Sequence, residues 1–153
     1  MSLSLTGGGA ERWAANTISY LNENSDFRIS LALFRDEKTY PIPEAVQVHR
    51  VDHRHVGQSI RTVRRMQQLL LNQNVDVVIS AGTYTGQFVG EAVRRTGTPW
   101  IARISGNIQY GNRSLLQRLG WRVLDRNIDT AWAIVGNSES MAGEVQSRWP
   151  HLS

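Results

Sequence analysis

Cysteine is absent from this sequence, and of its 17 basic residues only Lys38 is a lysine. The missing thiols exclude a disulfide framework and thiolate metal sites. No apolar run approaches the roughly 20 residues that cross a bilayer. The start of the chain lacks the basic, apolar and small-residue order of a secretory signal, so a cytoplasmic location is the expectation. There is no G-K-[ST], which excludes a P-loop, and no H-E-x-x-H zinc signature. Internal repeats, low-complexity tracts and linkers are missing as well.

What is present is ordinary for a folded domain. Hydrophobic residues make up 41% and charged residues 20% of 153 positions, which argues against disorder and suits one domain with a real core. The net charge is +4. An arginine-dominated surface fits phosphate-bearing partners, because the guanidinium fork matches their geometry; a compositional bias of the genome gives the same count.

The hydrophobic pattern alternates between two periods. Helices are expected at residues 10–24, 57–72, 85–95, 114–128 and 140–149. In the first, Trp13, Thr17, Ile18 and Leu21 make the inward stripe; in the second, Ile60, Val63, Leu70 and Leu71 do. Strands are expected at residues 28–34, 46–51, 75–81, 99–105 and 131–136, and "VDVVISA" reads as a strand buried on both faces. Gly97 and Pro99 end the third helix. Strands separated by helices of this length imply a doubly wound parallel sheet, an α/β Rossmann-like single domain.

Such a sheet holds its ligand at the carboxyl ends of its strands. The candidate substrate-binding residues lie there: Gly7, Gly8 and Gly9, then Thr83 and Tyr84, Ser105 and Asn107, and Ser138 and Glu139. The glycine run opens the first helix, whose first-turn amides have no intrahelical partner and carry the positive end of the dipole. Three adjacent glycines let a sugar or phosphate approach the main chain. A flexible cap would need only one. The dinucleotide fingerprint G-x-G-x-x-G is not met, since Arg12 stands at the third position.

"GGAER" at the first helix, "VDVVISAGTYTGQFVGEAVRRTGTPWIARISGN" and "AWAIVGNSESM" follow one another in an order that resembles the N-terminal domain of the retaining glycosyltransferases of family 4, which have the GT-B fold. The resemblance covers essentially the whole chain. It implies the acceptor side of a two-domain enzyme, with a nucleotide-sugar donor as co-substrate, a saccharide or lipid-linked acceptor, and no further cofactor. Gly8 and Gly9 would pass near the donor diphosphate and the acceptor. The acidic E-x7-E motif of the C-terminal domain is not in this sequence, so the chain reads as a fragment, residues 1–153 of a longer enzyme, inactive alone and without catalytic residues of its own.

Three departures from the family pattern stand out. Only "SLSL" precedes "TGGG", so the first, central strand is short or missing, and a sheet without it has two unpaired inner edges. Either the stub is short or another chain fills the edge, which would make a homo-oligomer. Arg103 and Ser105 stand where many members carry a His, so no role of that His transfers. Trp132 stands where an Asp is common, with Asp129 three residues earlier.

The remaining candidates have plain alternatives. Arg103 is a candidate for a phosphate or carboxylated sugar, or equally a structural ion pair. Tyr84 would stack on a sugar ring or cover a core edge. Ser138 caps a helix with Glu139 in its first turn, at a turn that borders the cleft in the resembling proteins. His49, His53 and His55 beside Asp52 read as a solvated loop, and no metal site is expected. Arg61, Arg64 and Arg65 share one helical face, an exposed charged surface that also suits peripheral contact with anionic membrane. The competing class is a basic Rossmann-like module for nucleic acid or a nucleotide cofactor. Nucleic acid is not expected as a partner, since strand-face aromatics interleaved with basic residues are lacking.

Overall fold

The computed structural model describes residues 8–35, 40–53, 56–105 and 114–152. The described residues form five helices and five strands in the order α1 Gly9–Asn24, β1 Ser30–Leu33, β2 Gln47–Arg50, α2 Ser59–Asn72, β3 Val78–Ser80, α3 Thr83–Thr96, β4 Trp100–Ile104, α4 Leu115–Asn127, β5 Ala131–Gly136 and α5 Glu139–Arg148. Short 3-10 turns at Val56–Gln58, Ile128–Thr130 and Pro150–Leu152 link or end them. Every described strand pair is parallel. The strands fall into two sheets, β1–β2 and β3–β4–β5.

The period-2 alternation of the first strand explains the layering. Leu31 and Leu33 pack with Ala15 and Ile18 of α1 and with Val46. Ala32 and the following Phe34 point the other way, into the larger core around Met66 and Leu70 of α2. Opposite faces of one strand therefore meet opposite helices, and the domain is doubly wound. Trp100, fully buried, anchors the second sheet, and its indole Nε1 donates to Ser80 Oγ at 3.2 Å. Around it pack Val89 and Ala92 of α3 and Leu124 of α4, all without exposure.

Local chemistry sets the helix ends. Ser114 and Gln117 form a capping box at α4, with Gln117 Oε1 accepting the Ser114 amide at 3.0 Å. Gly97 leaves α3 at φ 73, a left-handed conformation that suits glycine, and its amide returns to the Val93 carbonyl at 2.8 Å.

Three expectations change. The third strand spans only three residues, and Val77 just before it is 43% exposed. Val78 and Ser80 are buried on one face and Ile79 is half-buried on the other, so the burial read from the sequence holds over a shorter span than expected. In α2 the buried stripe is Thr62, Met66 and Leu70 at i, i+4 and i+8. Ile60 and Leu71 lie off that stripe and are exposed rather than inward. In α1 the buried residues are Ala14, Ala15 and Ile18, while Trp13, Thr17 and Leu21 are half-buried. Residues 1–7, where a first strand was expected to be short or missing, lie outside the described residues.

Candidate functional site

The sheet's carboxyl end brings two helix N-termini together. Gly82 caps α3, and a methyl group built on it would stand 3.7 Å from Cβ of Ala10 in the first turn of α1 and 2.7 Å from Ser105 Oγ. The φ of −174 at position 82 is open to any residue, and a side chain there would first have to displace the Ser105 hydroxyl. Neither α1 nor α3 has a side-chain acceptor on its Ncap residue. Their dipoles and first-turn amides thus converge on one small region, which favours an anion or a sugar oxygen. Thr83 fixes the third wall: its Oγ1 donates to the Ser105 carbonyl at 2.7 Å and accepts the Ser105 amide at 3.1 Å.

Glu11 occupies this junction from the α1 side. Its carboxylate folds back over Gly8 so closely that a Cβ there would collide with it at 2.1 Å. An incoming anion would compete with this carboxylate for the amides at the start of α1.

From the junction a trough of about 980 Å³ runs along α3 between α2 and α4. Tyr84 and His53 stand at its head, Ile60 and Val63 form one flank, and Leu116 and Leu119 the other. At the far end Glu91 takes hydrogen bonds from Arg126 and from Asn127 Nδ2, the latter at 3.1 Å, with Arg95 nearby. Desolvation, the largest influence on Glu91, would raise its pKa, but these hydrogen bonds and the charges of Arg126 and Arg95 hold it below the usual carboxylate value. Burial pushes the Tyr84 phenol up, partly offset by the Arg35 charge.

His53 corrects an expectation. Instead of lying in a solvated loop it is 4% exposed, its Nδ1 3.0 Å from Thr62 Oγ1 and its ring 4.5 Å from that of Phe88. Phe34 and Tyr84 complete the aromatic group, which joins the first sheet to α3. Asp52, at φ 51, turns the chain inward ahead of it. Arg65 bonds the Asp52 carboxylate at 2.9 Å and so leaves the basic face of α2, where Arg61 and Arg64 stay exposed.

Residues 7–151 match the family described as Glycosyltransferase Family 4. The chain belongs to that family. It is thus a glycosyltransferase domain with a Rossmann-like fold. A search of curated proteins finds no match.

In this family 4 domain the expected site residues are not all brought together. Thr83, Tyr84 and Ser105 line the trough, and Gly8 and Gly9 adjoin it through Ala10 and Glu11. Gly7 and Asn107 lie outside the described residues. Arg103 does not line the trough. It is buried, its guanidinium donates to the Ala81 carbonyl, and it stacks over Trp13 at 4.5 Å. Burial lowers its pKa below the usual arginine value, with Glu11 partly restoring it. Ser138 and Glu139 stand apart at α5, where Ser138 Oγ accepts the Met141 amide at 3.2 Å. Among the described residues no three His, Asp or Glu side chains form a metal-binding group, and no described helix is long and apolar enough to cross a membrane.

Proposed function

We propose that this domain presents the acceptor to a sugar carried by a nucleotide-sugar donor, in concert with a C-terminal donor-binding domain. The convergence of the α1 and α3 N-termini at the head of the trough carries the reading. First-turn amides at that point can hold the oxygens of a saccharide or phosphate, and Thr83 and Ser105 fix the wall against which they rest. The trough beyond is largely apolar, with Ile60, Leu116 and Leu119 exposed on its flanks and Arg64, Arg95 and Arg126 among its charges. That combination suits a lipid-linked saccharide, its polar head at the junction and its chain along α3. Arg61 and Arg64 on the exposed face of α2 extend the reading to peripheral contact with anionic lipid. No catalytic residue, cofactor or metal is assigned to the domain; its part is orientation, and transfer requires the second domain.

Titrating the isotope-labelled chain with a prenyl-phosphate-linked saccharide tests this by amide chemical shifts. The expected response is concentrated at Glu11, Gly82, Thr83 and Tyr84, with α5 unmoved. Shifts spread over the arginine surface with none at the junction would refute it. Fusion to a family 4 C-terminal domain is expected to give transfer, and the domain by itself none.

A further inference from the structure

Four polar side chains on α3 line the trough in a single row: Thr83, Gln87, Glu91 and Arg95. They stand at i, i+4, i+8 and i+12, so one helical face carries them all, each about 6 Å further along the axis than the last. Three are engaged. Thr83 holds the Ser105 main chain, Glu91 takes hydrogen bonds from Arg126 and Asn127, and Arg95 pairs with Glu91 at 3.6 Å. Gln87 has no hydrogen-bond partner among the described residues. Its carboxamide brings two N–H donors and a carbonyl acceptor to the row. The wall opposite makes room for that group. Gly120 lies inside α4, where glycine is the poorest helix former short of proline. A methyl group built on it would stand 2.8 Å from both Cδ and Nε2 of Gln87. The amide therefore lies across bare backbone, in a cleft flanked by Ile60 and Val63 from α2 and by Leu116 and Leu119 from α4. Apolar walls with a few placed polar groups are the usual make-up of a site that fixes a ligand's orientation.

We propose that Gln87 is a specificity-determining residue, hydrogen-bonding the hydroxyls of a second sugar unit of the acceptor while the first sits at the junction. That role rests on the acceptor-presenting function proposed above and adds the length of the saccharide to it. Spacing and chemistry select the ligand group. Gln87 stands one turn of α3 beyond Thr83, which walls the junction. A hydroxyl both donates and accepts, as a carboxamide does, whereas a phosphate diester only accepts and a prenyl chain does neither. The group that meets Gln87 is thus saccharide, and the lipid follows further along α3, between the leucines of α4 and Ile60 of α2.

Prenyl phosphate and its monosaccharide- and disaccharide-linked forms, titrated into the labelled chain and followed by amide shifts, test the role. The unaltered chain is expected to bind the disaccharide form about five-fold tighter than the monosaccharide form. Gln87→Leu should weaken the disaccharide form about five- to ten-fold and leave the other two ligands unchanged. Gly120→Ala is the second variant. It displaces the carboxamide without removing it, and alanine is the better helix former, so the thermal midpoint should rise while disaccharide binding falls. A purely structural role would not move the two in opposite directions. Equal weakening of all three ligands in Gln87→Leu, or full disaccharide affinity in both variants, would overturn the role of Gln87 and leave the junction standing. Failure of all three ligands to bind the unaltered chain would overturn both.

Discussion

Replacing Gly90 by alanine would put a methyl group where α3 has no room for one. Its Cβ would lie 2.9 Å from Cβ of Asn127 and 3.0 Å from two ring carbons of Trp100. Comfortable carbon contacts are about 3.5–4.0 Å. Asn127 and Trp100 are both fully buried, and the indole is further held by Ser80, so neither can swing into solvent. Overpacking of this sort costs about 1–3 kcal/mol. Alanine's better helix propensity returns about 1 kcal/mol, leaving a net loss of about 1 kcal/mol, toward 2 if the ring cannot tilt. Gly143→Ala is the internal control: the same chemical change inside α5, with nothing within 4 Å of the new Cβ. It should stabilise the domain by up to about 1 kcal/mol. The two variants then differ by about 2 kcal/mol, which for a domain of this size separates their thermal midpoints by about 4–8 °C. Parallel urea and thermal denaturation followed by circular dichroism would read the difference. If Gly90→Ala is as stable as Gly143→Ala, the seating of α3 on Trp100 is looser than the geometry states.

Other substitutions probe the site itself. Arg103→Met keeps much of the side-chain volume but strips the Ala81 carbonyl of its donor and Trp13 of its cation; a loss of about 1–3 kcal/mol in urea denaturation is expected. Thr83→Val removes both hydrogen bonds to the Ser105 main chain, so about 1–2 kcal/mol of stability should go. Its amide-shift response to the acceptor should weaken more than that of Gly143→Ala. Glu91 has a depressed folded-state pKa, so its contribution is present above the ordinary carboxylate value of about 4.3 and is lost as pH falls through the lower folded value. Glu91→Gln should therefore be less stable than the parent at neutral pH and lose less stability on acidification below that range; parallel slopes in the two chains would rule out the Arg126 and Asn127 contacts as the cause.

The sequence was most legible where one element's pattern answered to one neighbour. Leu31, Ala32, Leu33 and Phe34 alternate, and each pair meets its own helix. Gly97 needs only its own backbone angle to end α3. The site was harder to read because its chemistry lies between elements. His53 sits four residues after His49 in a polar run, and its burial depends on Thr62 and Phe88 from two different helices. One weak signal was available: Asp52 just before it belongs to a residue type that tolerates the left-handed backbone found there. Arg103 could not be assigned from its strand alone, since the Trp13 it stacks on is 90 positions away. The third strand is the informative disagreement. A run such as "VDVVIS" is composed for burial on both faces, yet Val77 is 43% exposed and the strand spans only Val78–Ser80. Val78 and Ser80 are buried, so the pattern located the strand but not where it begins.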